Sequence, residues 1–463
     1  MMRTVLVPSL ALSVLVGLSH GLPARGASTG GSRVLPAGRP IQDFAAGPMG
    51  SATAREAELR SSRLRARPRV RGITLQVDPR REGLGAYSQT WGDSLVFDKN
   101  RDGNPDVLLS FHTRPWEIWL GNSRGGFTFD RYLSRTDRHQ CATADFAGPD
   151  DARPDGRPDL YCVRGANNGT VSDKRNELLI QQPRGGFENV VSSWGARDPS
   201  GRGRAVSILD IRGNGRPSLF VGNLAPASHP SRDHIFVNRG KRFVERRTGG
   251  LPSVQNTRCS STGDFDRDGR QDFLSCSYSL RLYENRTTRA GRVSYREVAR
   301  DEVIPARRWQ DAGLVHLNRD RWPDLVTVSN LALEVRLNRR QSPHFPQVDF
   351  SFPLSAGFSF CSGRANGDTA TDLLVVQKLV SPDDRTQQRD WMLVNAGRGQ
   401  RFRALPVPQP AMRRGRNGNG DTCSAIPGYR GNRAAWTISN GRSIPSPEEQ
   451  RYRGYRQLVI LTR

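Results

Sequence analysis

One pattern recurs along most of this chain. It is a loop with oxygen-bearing side chains at alternate positions, closed by an aspartate and followed at once by an apolar run. The fullest copy reads Gly263-Asp264-Phe265-Asp266-Arg267-Asp268-Gly269-Arg270-Gln271-Asp272-Phe273-Leu274, and the next runs from Phe97 to Leu109. Aligned on the closing position, the copies fall at Asp106, Asp159, Ser218, Asp272, Asp324 and Asp372, with Ala435 in a faded seventh. Successive copies lie between 48 residues (Asp324 to Asp372) and 63 residues (Asp372 to Ala435) apart. Four strands with their turns need roughly 40–50 residues, so a period of this size predicts stacked β units rather than a shorter-period solenoid.

The rest of each unit agrees. Short apolar runs follow the loops, such as Val107-Leu108-Leu109, Leu219-Phe220-Val221 and Leu373-Leu374-Val375-Val376, and read as buried strands. A second run ends in Asn or Gly, as at Ile235-Phe236-Val237-Asn238 and Val335-Arg336-Leu337-Asn338. An aromatic-led strand then starts at Phe127, Phe187, Phe243, Tyr295 or Phe402. The expected fold is therefore all-β, a seven-bladed β-propeller of four-stranded antiparallel blades. The strand Gly72 to Val77 precedes the first unit, and Arg456 to Leu461 ends a last unit that lacks its fourth strand. The N-terminal strand is expected to complete the last blade, closing the ring and removing two exposed edges.

The motif resembles the FG-GAP/VCBS repeat family, whose propellers include the integrin α-subunit head, cartilage acidic protein-like proteins and many secreted bacterial proteins. The resemblance covers about residues 70–463. It implies a propeller with calcium loops. It does not name a ligand, because such scaffolds serve adhesion, sugar binding and some polysaccharide lyases.

Alternating oxygen ligands converge when a loop curls around a hard cation such as Ca²⁺. Asp264, Asp266, Asp268 and Asp272 stand at positions 1, 3, 5 and 9 of the fourth loop, with the Arg270 carbonyl at position 7. Asp98, Asn100, Asp102, Asn104 and Asp106 match them in the first. Gly103 and Gly269 permit the left-handed turn that the curl needs. Two Ca²⁺ sites are expected here. A third candidate uses Asp145, Asp155 and Asp159 of the second loop, which carries an insertion where Asp150 or Asp151 offers a substitute ligand. Elsewhere the ligands fade: Arg212 and Ser218 intrude in unit three, His316 and Arg321 in unit five, and Arg364 in unit six. In such loops an arginine is expected to stand in the cation's place, paired with Asp210 or Asp372.

Met1-Met2-Arg3 and the apolar stretch Val5 to Leu18 read as a secretory signal peptide within residues 1–26, so the chain is expected to be exported and, once processed, to have no membrane span. Residues 27–69, rich in Ala, Gly, Pro and Arg, read as a disordered linker. Six cysteines suit an exported fold. Cys141 and Cys162 flank the second loop and Cys259 and Cys276 the fourth, so each couple is expected to bridge neighbouring strands. Cys361 and Cys423 remain for a bridge between units.

The formal net charge is +25, and of 70 basic residues only four are Lys (Lys99, Lys174, Lys241, Lys378). Such a surface attracts polyanions, although the arginines are spread through all units. Sequence signatures of nucleic-acid-binding domains, nucleophile elbows, zinc-protease helices and phosphate loops do not occur. The long polar connections Arg164 to Asn176, Asn223 to Asp233, Lys378 to Asp390 and Ala411 to Asp421 read as recognition loops. The tryptophans read as core. Asn168 and Asn285 begin glycosylation sequons. The expectation is a monomeric binding or adhesion module for a glycan or an extracellular protein, not an enzyme. The competing class is a polysaccharide lyase using a loop histidine (His112, His139, His229 or His234) with an arginine.

Overall fold

The computed structural model describes residues 73–462 apart from connecting stretches, the longest being 78–93, 166–175, 225–230, 379–388, 408–419 and 441–457. The signal-peptide and linker assignments lie outside the described residues. Ala45–Arg463 is one compact unit. Within it the strands form a propeller of four-stranded antiparallel blades. Six blades each come from one continuous run: residues 95–133, 138–189, 203–245, 259–297, 311–353 and 357–406. In each the strands pair in chain order, first with second, second with third, third with fourth. The remaining sheet is composite, with Gly420–Ile426, Ala435–Asn440, Leu458–Thr462 and Leu75–Val77 side by side in that order. There Leu75 lies opposite Thr462 and Val77 opposite Ile460.

The first strand of each blade lies innermost, and neighbouring first strands touch. Small and polar residues recur along them where the backbones approach. Ser207 and Ser260 meet through their hydroxyls at 2.7 Å, and the Ser261 hydroxyl accepts the Leu314 N–H at 3.1 Å. A Cβ on Gly313 would stand 2.9 Å from the Phe360 ring, so that approach needs glycine. The second strands are buried throughout, which explains their continuous apolar runs. The clusters between blades supply the core. Phe265, Leu274 and Leu282 of blade four pack with Trp309, Leu325 and Phe345 of blade five.

The repeated loops follow each first strand and lie on one face of the propeller. Their closing aspartates are fully buried. In blade one the Asp106 carboxylate accepts the backbone N–H groups of Lys99 and Gly121, both at 2.7 Å. Asp159 accepts Phe146 and Gln181, and Asp272 accepts Phe265 and Asn285. Asp324 accepts Leu317 and Asn338, both at 3.0 Å, and Asp372 accepts Ala365 and Asn395. Ser218 takes this place in blade three and accepts the Asn238 N–H at 3.1 Å. One side chain thus ties the loop to the end of the third strand, satisfying two buried donors that the strand ladder leaves open.

The residue at the end of the third strand then reaches the preceding blade. Gln181 donates to the Lys99 carbonyl, Asn238 to Phe146, Asn285 to Ile211, Asn338 to Phe265 and Asn395 to Leu317, at 2.8–3.2 Å. Every acceptor is the second residue of a repeat loop. This explains why the third runs end in Asn. Asn285 is fully buried and spends its amide on this clamp, which removes it as a glycosylation acceptor in the folded chain.

All three expected disulfides are present. Cys141–Cys162 and Cys259–Cys276 join directly opposed residues of first and second strands. Cys361–Cys423 joins the first strand of blade six to Gly420–Ile426 of the composite sheet. Trp116, Trp309 and Trp436 are fully buried, as core residues should be. Among the described residues no helix is long and apolar enough to cross a membrane.

Asn338→Ala leaves the Phe265 and Pro323 carbonyls and the Arg340 N–H without their partner. An unfolding free energy lower by about 1–3 kcal/mol is expected in urea denaturation. Burial pushes Asp324 up to about 7, against the backbone donors of Asn338, Leu317 and Asn318 that favour the charged form and with the charge of Asp320 adding to the rise. An unfolded aspartate titrates near ~4, so between these values the folded chain holds the extra proton. The stability contributed by this group is full below about pH 4 and is lost as pH rises through about 7. In Asp324→Asn the decline of unfolding free energy between pH 5 and 8 should be shallower than in the parent chain.

Candidate functional site

In blade four the loop brings one oxygen each of Asp264, Asp266 and Asp268 within 4.8 Å of one another. Asp264 caps the turn, accepting the N–H groups of Asp268 (3.1 Å) and Gly269 (3.0 Å). Asp266 also accepts the Asp268 N–H, and Asp268 accepts that of Arg270 at 2.8 Å. Gly269 has a φ of +84° and Arg267 one of +55°, so two left-handed residues tighten the curl. Burial, and then the Glu284 carboxyl beside it, push Asp266 above the usual carboxylate range. Glu284 comes from the end of the third strand, far from the loop in sequence, and no loop pattern could reveal it. Arg270 does more than offer its carbonyl, since its guanidinium pairs with Asp268 and donates to the Asn285 carbonyl at 2.9 Å.

Blade one repeats the arrangement. Asp98 accepts the N–H groups of Asp102 and Gly103, at 3.1 and 2.9 Å, and Asp102 accepts that of Asn104 at 2.8 Å. Asn100 bridges to Asp102 through its amide at 3.0 Å. The Asn104 backbone donor, aided by Asn100, holds the Asp102 carboxyl below its ordinary value. In blade two the insertion is absorbed before Asp155. Asp145 accepts the N–H groups of Asp155 (3.1 Å) and Gly156 (2.5 Å), and Gly156 has a φ of +82°. Asp155 is paired with Arg157, as Asp268 is with Arg270.

The structure therefore divides the predicted ligands. Asp98, Asn100, Asp102, Asp145, Asp155, Asp264, Asp266 and Asp268 gather at the loop tips. Asp106, Asp159 and Asp272 lie beneath as the buried staples, with both carboxylate oxygens already accepting backbone N–H groups.

The arginine-for-cation expectation does not hold where it was placed. Arg212 donates to the Gly291 carbonyl of blade four rather than to Asp210, whose oxygens accept the N–H groups of Asn214 and Gly215. Arg364 is exposed, and Asp372 is occupied by backbone donors. Blade three instead collects Arg212, Arg216 and Arg239 around a cavity of about 30 Å³, which is hostile to a cation. A guanidinium does meet an acid in blade five, where Arg340 pairs with Asp320 at 3.1 Å.

On the opposite face, the second strands end and the third strands begin. The long connections 164–176, 223–233 and 378–390 leave from this face, and 411–421 enters it. Three of the described histidines lie beside carboxylates, while His316 is exposed in the loop of blade five. His139 lies 3.4 Å from Asp137, His234 3.0 Å from Glu245, and His344 2.9 Å from Glu302. His112 and His229 lie outside the described residues.

No family model matches this chain, and no curated protein matches it. Among solved structures, the chain is similar to BBS1N in complex with ARL6DN, at 12% identity and a TM-score of 0.45 over 85% of this chain and 97% of that one. A second crystal of that complex, soaked with mercury, gives 13% identity and a TM-score of 0.47, covering 83% and 94%. An Agrocybe aegerita lectin, described as recognising non-reducing terminal N-acetylglucosamine, gives 14% identity and a TM-score of 0.44, covering 70% and 81%.

Gly269→Ala keeps every loop carboxylate but forces a Cβ into the left-handed region, in open space. A stability loss of about 1 kcal/mol is expected from backbone strain alone, read as a lower thermal midpoint in the presence of chelator.

Proposed function

We propose that this chain is an exported, calcium-stabilised propeller of the FG-GAP/VCBS kind, which acts as a binding module for a glycan or an extracellular protein. The observation that carries the binding reading is that the strand ends flanking the long polar connections 164–176, 223–233, 378–390 and 411–421 all lie on one face of a disulfide-bonded scaffold. Rigid strands that hold variable loops together on one side are the usual architecture of recognition.

The calcium reading rests on the donor chemistry of the opposite face. The loop tips of blades one and four offer only carboxylate, amide and carbonyl oxygens, as a hard cation prefers. Asp264, Asp266 and Asp268 are close enough for one ion to bridge, and a cation there would relieve their mutual repulsion. The ion's part would be to lock the loop, and thereby the staple beneath it.

We further read the composite sheet as a seventh blade that closes the ring. Its innermost strand touches those of both blade six and blade one, and Ser424 donates to the Ser94 carbonyl at 2.5 Å. Ile426 and Ala435 also belong to the apolar cluster of blade one.

Calcium added at 100-fold over its dissociation constant should raise the unfolding free energy by about 2.7 kcal/mol per occupied site. Titration calorimetry should find two sites, reduced to one in the pair Asp264→Ala with Asp266→Ala. An unfolding midpoint that does not respond to calcium would overturn the calcium reading. Retention on immobilised acidic or neutral polysaccharides tests the binding reading, and its loss on every polymer would move the ligand to the protein class.

A further inference from the structure

Where each first strand enters the ring, on the face opposite the repeat loops, blades two to six carry His139, Arg204, Arg258, Gln310 and Phe358 at equivalent positions. In blades two, three and six this residue is the extra one of a β-bulge, the device that re-aims a side chain at a rim. Blades three and four therefore set Arg204 and Arg258 side by side at the mouth of the ring. Arg202 acts electrostatically on both, and Arg308 of the next blade acts on Arg258.

Several arginines elsewhere in the chain are neutralised by a carboxylate. Arg138 pairs with Glu177, Arg281 with Glu297, and Arg296 with Glu284. Among the described residues no carboxylate forms an ion pair with Arg204, Arg258 or Arg308. Asp137 acts on Arg204 from a distance, but it is outweighed there by Arg202 and Arg258. Burial, with the neighbouring cations adding to it, brings the Arg204 guanidinium down to about 9 and that of Arg258 to about 10. Both side chains nevertheless keep contact with solvent. Both guanidiniums are thus half-enclosed at this mouth.

A second observation concerns what would fill it. Tyr278 sits in the turn between Asp272–Cys276 and Leu280–Asn285, on this same face. It is 52% exposed, among the most exposed large aromatic side chains described, and the Arg308 guanidinium lies 5.4 Å from its ring centroid. An open aromatic ring beside planar cations suits a sugar ring that carries an anionic substituent. The ring takes the apolar sugar face, and the guanidinium forks take the oxyanion in bidentate fashion.

We propose that Arg202, Arg204, Arg258 and Arg308, with Tyr278 beside them, form a binding site for an acidic glycan bearing a sulfate ester or a carboxylate. This deepens the binding-module reading and rests on it.

The test must separate this site from the attraction that a net charge of +25 exerts on any polyanion. Binding of a sulfated heparin octasaccharide, an oligogalacturonate and a neutral dextran would be measured by calorimetry at 150 mM salt with calcium present. The parent chain, the pair Arg204→Gln with Arg258→Gln, the single variant Tyr278→Ala, and the control pair Arg184→Gln with Arg247→Gln would be compared. The control pair loses the same charge from exposed positions elsewhere. The mouth pair should weaken one of the two acidic oligosaccharides by roughly 100-fold, about tenfold for each charge-assisted contact. The control pair should change it by less than about twofold, in line with exposed charges. The oligosaccharide affected identifies sulfate or carboxylate.

Tyr278→Ala, at an exposed turn, keeps the site testable if the arginine pair disturbs folding, and should weaken the same ligand by roughly tenfold. Equal losses in the mouth and control pairs would overturn the proposal by reducing it to bulk charge. Binding only to the neutral dextran would overturn it while leaving the binding-module reading in place. Single-stranded DNA held as tightly as the better oligosaccharide, and lost in the same variants, would overturn the glycan assignment.

Discussion

The structure depends on a relay of buried hydrogen bonds. A repeat-loop residue gives its N–H to the closing aspartate of its own blade and its carbonyl to an Asn or Gln side chain of the next. The same aspartate accepts the backbone N–H of that blade's own Asn or Gln, so each blade is tied internally and then sideways. Loops and third-strand ends are where β-sheets leave polar groups unpaired. Placing one carboxylate and one amide there in almost every unit lets the apolar faces between blades close without stranding a donor. Blade one departs from the rule, with Gly121 in place of the Asn and a Pro105 carbonyl 2.1 Å from where a Cβ would stand.

The relay also sets what the two faces can do. The repeat-loop face is committed to structure. Its tips are capped by their own backbone N–H groups, and each closing aspartate is consumed below. A cation bound at those tips would therefore add stability rather than chemistry. The opposite face carries the long connections, the bulges and the exposed ring of Tyr278. Arg204 and Arg258, at the entry of the first strands, are only half-buried. On the proposed reading, stability and recognition are separated to opposite ends of the same strands.

Particular residues show how far the chain could be read in advance. The Cys141–Cys162 and Cys259–Cys276 pairs were legible because each couple brackets one loop, and opposed residues of adjacent strands follow from that bracketing. The acidic tips of blades one, two and four were legible from their alternation. The double use of Asp272, and of its equivalents, was not. A carboxylate that closes a metal loop and one that caps two backbone donors look alike in sequence, and only the position of the third strand distinguishes them. Glu284 and Arg340 were hidden for a related reason. Each enters its loop from a strand end more than a dozen residues away. Arg212 was expected to turn inward, yet the neighbouring blade offered the Gly291 carbonyl instead.

The sequence by itself determined the repeating β unit, the pairing of four of its six cysteines and the location of its oxygen-rich loops, because these follow from local periodicity and from residues bracketing one turn. The tertiary structure decided which carboxylates face outward and which are buried staples. It decided that Asn285 serves the preceding blade rather than a glycan, and that Arg202, Arg204, Arg258 and Arg308, distant in sequence, stand near one another. Those outcomes depend on how blades stand beside one another, a relation between distant segments that no single loop encodes.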